Sequence, residues 1–360
     1  MTSPTTLCFS YTKRTLNFRF EAGTSRGVLK TREVYWIKAL DSANRDIVGW
    51  GEAAPLVKLS PDHREDFEEI LKKTLVSLNE VTFELEEKAI LNQLEDLVPF
   101  DLPSIRFGLE TALLDLACGG KKRLFSNRFF DAQEGIPING LIWMGDRDFM
   151  LEQIDQKLSE GFDCIKMKIG AIDFEQEIAL LQYIRSRFTK DQIVLRVDAN
   201  GAFSPKDALK KLGRLAELDI QSIEQPIRAG QFQEMKALCE ATPLPIALDE
   251  ELIGVAEKKT LLDTVRPQHI ILKPTLLGGI LETREWVKLA EERSIGWWMT
   301  SALESNIGLN AISQLASALA TKIPQGLGTG KLYHNNLASP LEIESGKIFY
   351  KTEKSWGEPV

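Results

Sequence analysis

Six residues in the middle of the chain have the types and spacing to do chemistry. Lys166 and Lys168 stand two apart, Asp198 precedes Ala199-Asn200, Glu224 precedes Gln225-Pro226, Asp249 precedes Glu250-Glu251, and Lys273 precedes Pro274. Three carboxylates brought to one place would repel one another strongly if left bare. A hard divalent cation resolves this, and an all-oxygen set with open positions suits Mg²⁺, with Mn²⁺ as its substitute. Zinc fits less well, because no His or Cys accompanies the acids. A free lysine has a pKa of about 10.4, so only about one in a thousand is a base at neutral pH. A neighbouring ammonium and a nearby cation both disfavour the charged form, and a lowering of about 2–3 units would make a useful base. Lys166 is therefore expected to tune Lys168. The cation would stabilise the negative charge that appears on a substrate carboxylate when its α-proton leaves.

The elements that must position these groups are short apolar runs, each followed by a helical segment. The runs are Ile136–Trp143, Cys164–Ile169, Ile193–Val197, Ile220–Ile223, Pro245–Leu248, His269–Leu272 and Gly296–Thr300, with a weaker eighth at Gln325–Thr329. They recur at roughly 25–30 residues, the length of one β-helix-β step, so the reading is an α/β fold, a (β/α)-barrel of the TIM type. In a parallel barrel all C-terminal strand ends meet at one mouth, where active sites are built. Lys166 and Lys168 point to the same side of their strand, and Lys273 comes four strands later, across the mouth. The catalytic candidates are thus Lys168, Lys273 and Lys166, and the metal ligands Asp198, Glu224 and Asp249. Asn200, Ser301, Glu304 and Gly279 are the candidates for binding substrate. Gly278-Gly279 reads equally well as the start of a helix that accepts an anion and as a simple tight turn.

The flanks read differently. Residues Thr6–Phe20 and Gly27–Leu40 alternate apolar and polar groups as strands do, Asp41–Asp46 is a polar turn, and Ile47–Trp50 continues the sheet. Apolar residues at helical spacing follow at Phe67, Ile70, Leu71, Leu75 and Leu78. Ser104–Cys118 is a second helix, which Ser104 can cap and Gly119-Gly120 can end. The tail Leu341–Lys351 is strand-like again. The expected organisation is an α+β capping domain over residues 1–120, a barrel over 136–330 and a C-terminal segment, 331–360, that returns to the cap.

Composition narrows the function classes. A formal net charge of -8 argues against non-specific nucleic-acid binding. No basic start followed by a long apolar run opens the sequence, and no apolar stretch approaches the roughly 18 residues of a membrane span, so neither signal peptide nor membrane association is expected. Cys8, Cys118, Cys164 and Cys239 are scattered without a CxxC pair, and buried free thiols in a reducing cytoplasm are the expectation. A homo-oligomer is compatible with the sequence. Gly326–Lys331 is not a P-loop, because the first glycine would fall on Gln325 and Leu332 replaces Ser/Thr; a loop lining the barrel mouth is expected. His269 is read as a core histidine and Trp297-Trp298 as packing.

The ordered set Lys166-x-Lys168, DAN, EQP, LDE and LKP, with the motif Gly51-Glu52-Ala53-Ala54-Pro55 before it, resembles the enolase superfamily in its muconate-lactonising branch, over nearly the whole chain. Asn139–Gly145 and Ser301–Leu309 most resemble the o-succinylbenzoate synthase group of that branch. The resemblance implies metal ligation by Asp198, Glu224 and Asp249, and acid/base or cationic roles for Lys168 and Lys273 on a small carboxylate substrate. It implies dehydration of a succinyl-hydroxycyclohexadiene carboxylate to an aromatic acid. Dipeptide epimerases of the branch usually carry Asp-x-Asp at the eighth strand, where this chain reads GLGTGKLYHNN without an acid. N-acylamino acid racemisation stays open, because two opposed lysines serve it equally well. A metal-free Schiff-base barrel using Lys168 or Lys273 and a non-catalytic binding barrel are the competing classes. Cap loops Glu21–Gly27 and Pro55–Ser60 are expected to select the substrate.

Overall fold

The computed structural model describes residues 4–24, 27–42 and 46–359. The N-terminal part is a four-stranded antiparallel sheet, β1 (Thr5–Thr24), β2 (Gly27–Asp41), β3 (Val48–Ala53) and β4 (Thr82–Phe83), in the order β3-β2-β1-β4. The β1–β2 register shifts between Asn17 and Ala22. Helices α1 (Phe67–Leu78), α2 (Glu87–Leu97) and α3 (Pro103–Ala117) accompany the sheet. The expected turn at Asp41–Asp46 and cap loop Glu21–Gly27 lie partly outside the described residues.

Helix α3 packs so closely on β3 that the strand needs glycine. A Cβ at Gly51 would lie 1.9 Å from the Gly108 carbonyl oxygen, and one at Gly49 2.0 Å from that of Ala112. Ser104 is not the cap of α3. Pro103 opens the helix, where its missing N–H costs nothing, and Leu102 is the N-cap without a side-chain bond. Ser104 instead donates both its N–H (2.8 Å) and its hydroxyl (2.6 Å) to buried Asp62. The free N–H groups of the first turn thus take their acceptor from outside the helix. Gly119 and Gly120, both at positive φ, end α3 as expected, with Gly120 N–H donating to Asp115 O at 2.8 Å.

The barrel strands follow: β5 (Ile136–Pro137), β6 (Gly140–Ile142), β7 (Cys164–Lys168), β8 (Val194–Asp198), β9 (Ser222–Glu224), β10 (Ile246–Leu248), β11 (His269–Leu272) and β12 (Gly296–Met299). Seven of them form one curled parallel sheet, β12-β11-β10-β9-β8-β7-β6. They alternate with α4 (Arg147–Ser159), α5 (Phe174–Arg187), α6 (Pro205–Ala216), α7 (Phe232–Ala241), α8 (Lys258–Val265), the short α9 (Pro274–Leu277), α10 (Ile280–Glu291) and α11 (Asn306–Ala318). Caps start several helices where the sequence supplies them: Asp146, Asp173, Ser204 and Ser305 each accept a first-turn N–H.

Two strand expectations change. The run Ile136–Trp143 is split: β5 pairs antiparallel with the C-terminal hairpin, and only β6 enters the barrel sheet. The expected eighth strand is reduced to two parallel bridges, Ile138 with Gln325 and Thr300 with Gly326, which close the barrel between β12 and the chain before β6. Gly-rich sequence over Gly326–Gly330 explains this, since glycine gives a strand no side chain to pack.

After the barrel the chain runs back along the cap. Tyr333 bridges Phe18, and Arg19 N–H donates to Leu332 O at 2.8 Å. The last strands, β13 (Leu341–Glu344) and β14 (Lys347–Tyr350), form a hairpin whose β14 pairs with β5. One apolar core runs from Leu7 and Phe9 of the cap through α3 into the layer between barrel strands and helices. A second cluster, including Leu16, Trp36, Leu56, Trp143 and Tyr333, sits where the long β1–β2 hairpin meets the barrel mouth. Among the described residues no helix is long and apolar enough to cross a membrane. The cysteines are only half as expected: Cys164 and Cys239 are buried, Cys118 is half-buried and Cys8 is exposed.

Candidate active site

Parallel register puts the reactive groups side by side. Lys168 pairs with Asp198 and Asp198 with Glu224 across β7, β8 and β9. Lys273 follows β11, on the far side of β10. All six side chains of the catalytic and metal sets are buried. Lys166 Nζ bonds to Glu224 Oε2 and lies 3.2 Å from Asp198 Oδ2. Lys168 Nζ is 2.9 Å from Asp198 Oδ2 and donates to Asn200 Oδ1 at 2.7 Å. Lys273 Nζ bonds to Asp249 Oδ2 and lies 3.9 Å from Glu224 Oε1. Sequence-selected residues from five consecutive strands therefore meet at one end of the barrel.

Neighbouring amides hold the cluster in place. Asn200, at φ 43°, takes the left-handed turn that Asn tolerates. Its N–H donates to Asp198 Oδ1 at 2.9 Å, and its Nδ2 donates to Glu250 Oε1 at 3.1 Å. Gln225 ties the end of β9 to the end of β10: its Oε1 accepts from Asp249 N–H at 3.1 Å, and its Nε2 donates to Glu251 Oε2 at 2.9 Å. The Gln225 role was missed in the sequence, although the residue sits inside the EQP triplet.

Charge governs the protonation states. Burial works to lower Lys166, but the Asp198 and Glu224 carboxylates outweigh it and push Lys166 above its ordinary value. Lys273 is likewise raised, burial being outweighed by Asp249 and Glu224. Burial would raise Asp198, yet Lys166, Lys168 and Lys273 hold it well below the ordinary carboxylate range. Glu224 is pushed up to about 7 by burial and by Asp198, and Asp249 is raised by burial and by Glu250. Lys166 and Lys273 thus stay charged in the chain alone, each held so by its carboxylate partners.

Among the described residues no three His, Cys, Asp or Glu side chains are gathered as a ready metal cage, because the ammonium groups stand between the acids. The donor set nevertheless fits a hard cation. Asp198, Glu224 and Asp249 supply only oxygen ligands, and the buried Glu224 Oε1 has no hydrogen-bond partner.

A cavity of about 990 Å³ opens above the cluster, lined at its floor by Lys166, Lys168, Asp198, Asn200, Lys273 and Ser301. The cap contributes Arg19 and Phe20, together with Gly27 of one expected cap loop and Leu56 and Lys58 of the other. Gly326, Gly328, Thr329 and Lys331 line the mouth, as expected of that glycine-rich loop.

The remaining candidates are placed differently. Glu304 is fully buried behind Ser301 and accepts from Ser301 Oγ (2.5 Å) and Thr275 Oγ1 (2.6 Å). Gly279 is away from the cavity. It is the N-cap of α10, and the acceptor at that helix start is a side chain of the protein itself, the Glu110 carboxyl, whose Oε2 accepts from Ile280 N–H. His269 lies at the opposite end of β11 from Lys273, 5.4 Å from the Trp298 ring, and burial with nearby Arg196 lowers it to about 4. Asn139 and Thr300 also line the cavity and went unselected as site residues.

Comparison with known proteins agrees with this geometry. Residues 150–355 match the family model described as Enolase C-terminal domain-like. An o-succinylbenzoate synthase of Desulfotalea psychrophila is 45% identical over 94% of this chain and 98% of its own length. An L-Ala-D/L-Glu epimerase of Bacillus subtilis is 27% identical over 75% of this chain and 74% of its own. The crystal structure of MenC from Desulfotalea psychrophila superposes with a TM-score of 0.85 at 41% identity, covering 95% of this chain and 99% of that one. The chain belongs to the enolase superfamily, in its muconate-lactonising branch, and is closely related to the o-succinylbenzoate synthases.

Proposed function

We propose that the protein is a Mg²⁺-dependent lyase that dehydrates 2-succinyl-6-hydroxy-2,4-cyclohexadiene-1-carboxylate to 2-succinylbenzoate, the o-succinylbenzoate synthase step of menaquinone biosynthesis. The observation that carries the reading is the opposition of Lys168 and Lys273 across a floor of three carboxylates, in a chain 45% identical to such a synthase.

Asp198, Glu224 and Asp249 would hold the cation, and Mg²⁺ bound there supplies an electrostatic sink for the substrate carboxylate. Lys168, as a neutral amine, takes the ring proton α to that carboxylate, and the C–H electrons pass into an enediolate. The resulting ammonium then returns the proton to the hydroxyl on the next carbon; the C–O bond breaks, water leaves and the ring becomes aromatic. Lys168 thereby ends as it began, so one residue serves as base and then acid. Lys273 stays cationic beside the enediolate, and Lys166 keeps a second positive charge next to Lys168. Ser301 and Asn200 border the same floor as substrate-binding groups, while Glu304 acts through Ser301.

N-acylamino acid racemisation is the second reading, favoured by the same opposed lysines, one on each face of an α-carbon. The mouth loop Gly326–Asn336 offers no acid for a substrate ammonium, which argues against a dipeptide epimerase. A direct assay of the purified protein with the cyclohexadiene acid beside N-succinylamino acids, with EDTA and then Mg²⁺, tests the proposal. Turnover of the first substrate, lost in EDTA and restored by Mg²⁺, is the expected result. Racemisation without dehydration would replace the first reading by the second.

A further inference from the structure

A buried guanidinium joins the cap to the barrel. Arg32, in β2, is 1% exposed. Among the described residues all its hydrogen bonds go to backbone carbonyls. Nη1 donates to Pro55 O and Nη2 to Ala54 O, both at 2.5 Å. Nη2 also donates to Ala302 O at 3.3 Å, and Nε to Leu303 O at 3.4 Å. A buried charge is costly, and an apolar side chain would fill the place at less cost unless the bonds themselves are needed. Only a planar fork of several donors can hold acceptors from two segments at once.

The four carbonyls belong to two loops that border the same cavity. Ala54 and Pro55 follow β3 and lead into the cap loop 55–60, of which Leu56 and Lys58 line the cavity. Ala302 and Leu303 follow β12 and line it beside Ser301. The barrel loop is held against strain. Leu303 has φ 68°, a left-handed conformation that a bulky side chain rarely adopts. Its carbonyl takes the Arg32 bond and a second from the Tyr333 hydroxyl at 2.7 Å, and its N–H donates to Ser301 Oγ at 3.0 Å. Such a backbone persists only where its surroundings over-determine it. The bonds of Arg32 reach neither the site lysines nor the three carboxylates.

We propose that Arg32 is a positioning residue: it latches the cap loop 55–60 to the barrel loop 301–303 and so sets the shape of the substrate cavity between them. This rests on the synthase reading for its ligand and not for its geometry.

Hydrogen exchange of the full-length, ligand-free protein tests the latch. Arg32→Met keeps the length and loses every donor. Its amides at 56–60 and 301–303 should exchange at least about tenfold faster, while those of β8 keep their wild-type rates. With Mg²⁺ present, 2-succinylbenzoate should bind about tenfold more weakly, and Mg²⁺ itself within about twofold of the wild type, because no proposed metal ligand is touched. Arg32→Lys keeps the charge without the fork and should resemble Arg32→Met. Tyr333→Phe removes one hydroxyl from the Leu303 carbonyl and keeps the ring. It should weaken the ligand about threefold, and it decides the matter if Arg32→Met does not fold. Faster exchange spread evenly over the chain, full recovery by Arg32→Lys, or unchanged ligand affinity in the variants overturns the latch. A wild-type protein that binds no 2-succinylbenzoate overturns the synthase reading, and the exchange pattern alone then judges the latch.

Discussion

Glu52, in the edge strand β3 of the cap sheet, accepts the backbone N–H of Ser305 at 2.7 Å and that of Gly308 at 2.9 Å, so a cap carboxylate closes the N-terminus of barrel helix α11. The Ser305 hydroxyl donates to the same carboxylate. A helix start carries free N–H groups and a partial positive charge, and both favour an anion there. Glu52→Ala should leave these buried donors without an acceptor and destabilise the protein by about 2–4 kcal/mol. Urea unfolding of the variant checks this; a change under about 0.5 kcal/mol would mean the contact contributes nothing.

Glu110 does the same for α10 from the middle of α3, and its fit predicts a pH dependence. Burial pushes it from 4.5 up to about 8, against the lowering by the Ile280 N–H. Below the unfolded value both states are protonated and stability is full. Between about 4.5 and 8 the unfolded chain gives up a proton that the folded one retains, so stability falls as pH rises, and the loss is complete above the folded value. Glu110→Gln should therefore gain stability relative to wild type as pH rises from about 5 to about 8.5. Thermal melts across that range would sink the idea if the difference stays constant.

Glu224 lies at the centre of the acidic floor and pairs with lysines on both sides. Glu224→Gln keeps the shape and removes a charge. Mg²⁺ affinity, read by calorimetry, should fall at least about tenfold, and turnover should fall by orders of magnitude. Unchanged binding and turnover would remove Glu224 from the metal site.

The two lysines should fail in different ways. Lys168→Ala should abolish proton removal, measured as exchange of the substrate α-hydrogen with D₂O, at a cost of about 10²–10⁴ in rate. Lys273→Arg keeps the charge without the compact ammonium and should retain more activity than Lys273→Ala. Near-normal turnover by Lys168→Ala beside a dead Lys273→Ala would reverse the roles.

The sequence by itself determined the repeat of strand and helix, the cap strands and the six candidate residues that the barrel gathers at one end. These are legible because each is a local signal: a run's length, its apolar pattern and the polar residue at its end. Parallel topology then carries those ends to one mouth whatever the loops do. What only the tertiary structure decided is the partner of each group. Ser104 looked like a helix cap, but the acceptor at that turn is Asp62, 42 residues away in sequence. Gly279 looked like a place for a substrate anion, but Glu110, 170 residues from Ile280, fills the helix start. Arg32 gave no local sign that its guanidinium would reach the carbonyl of Ala302, 270 residues away. Pairing of buried polar groups depends on which distant segments desolvate them together, and that information lies in the packing of the chain.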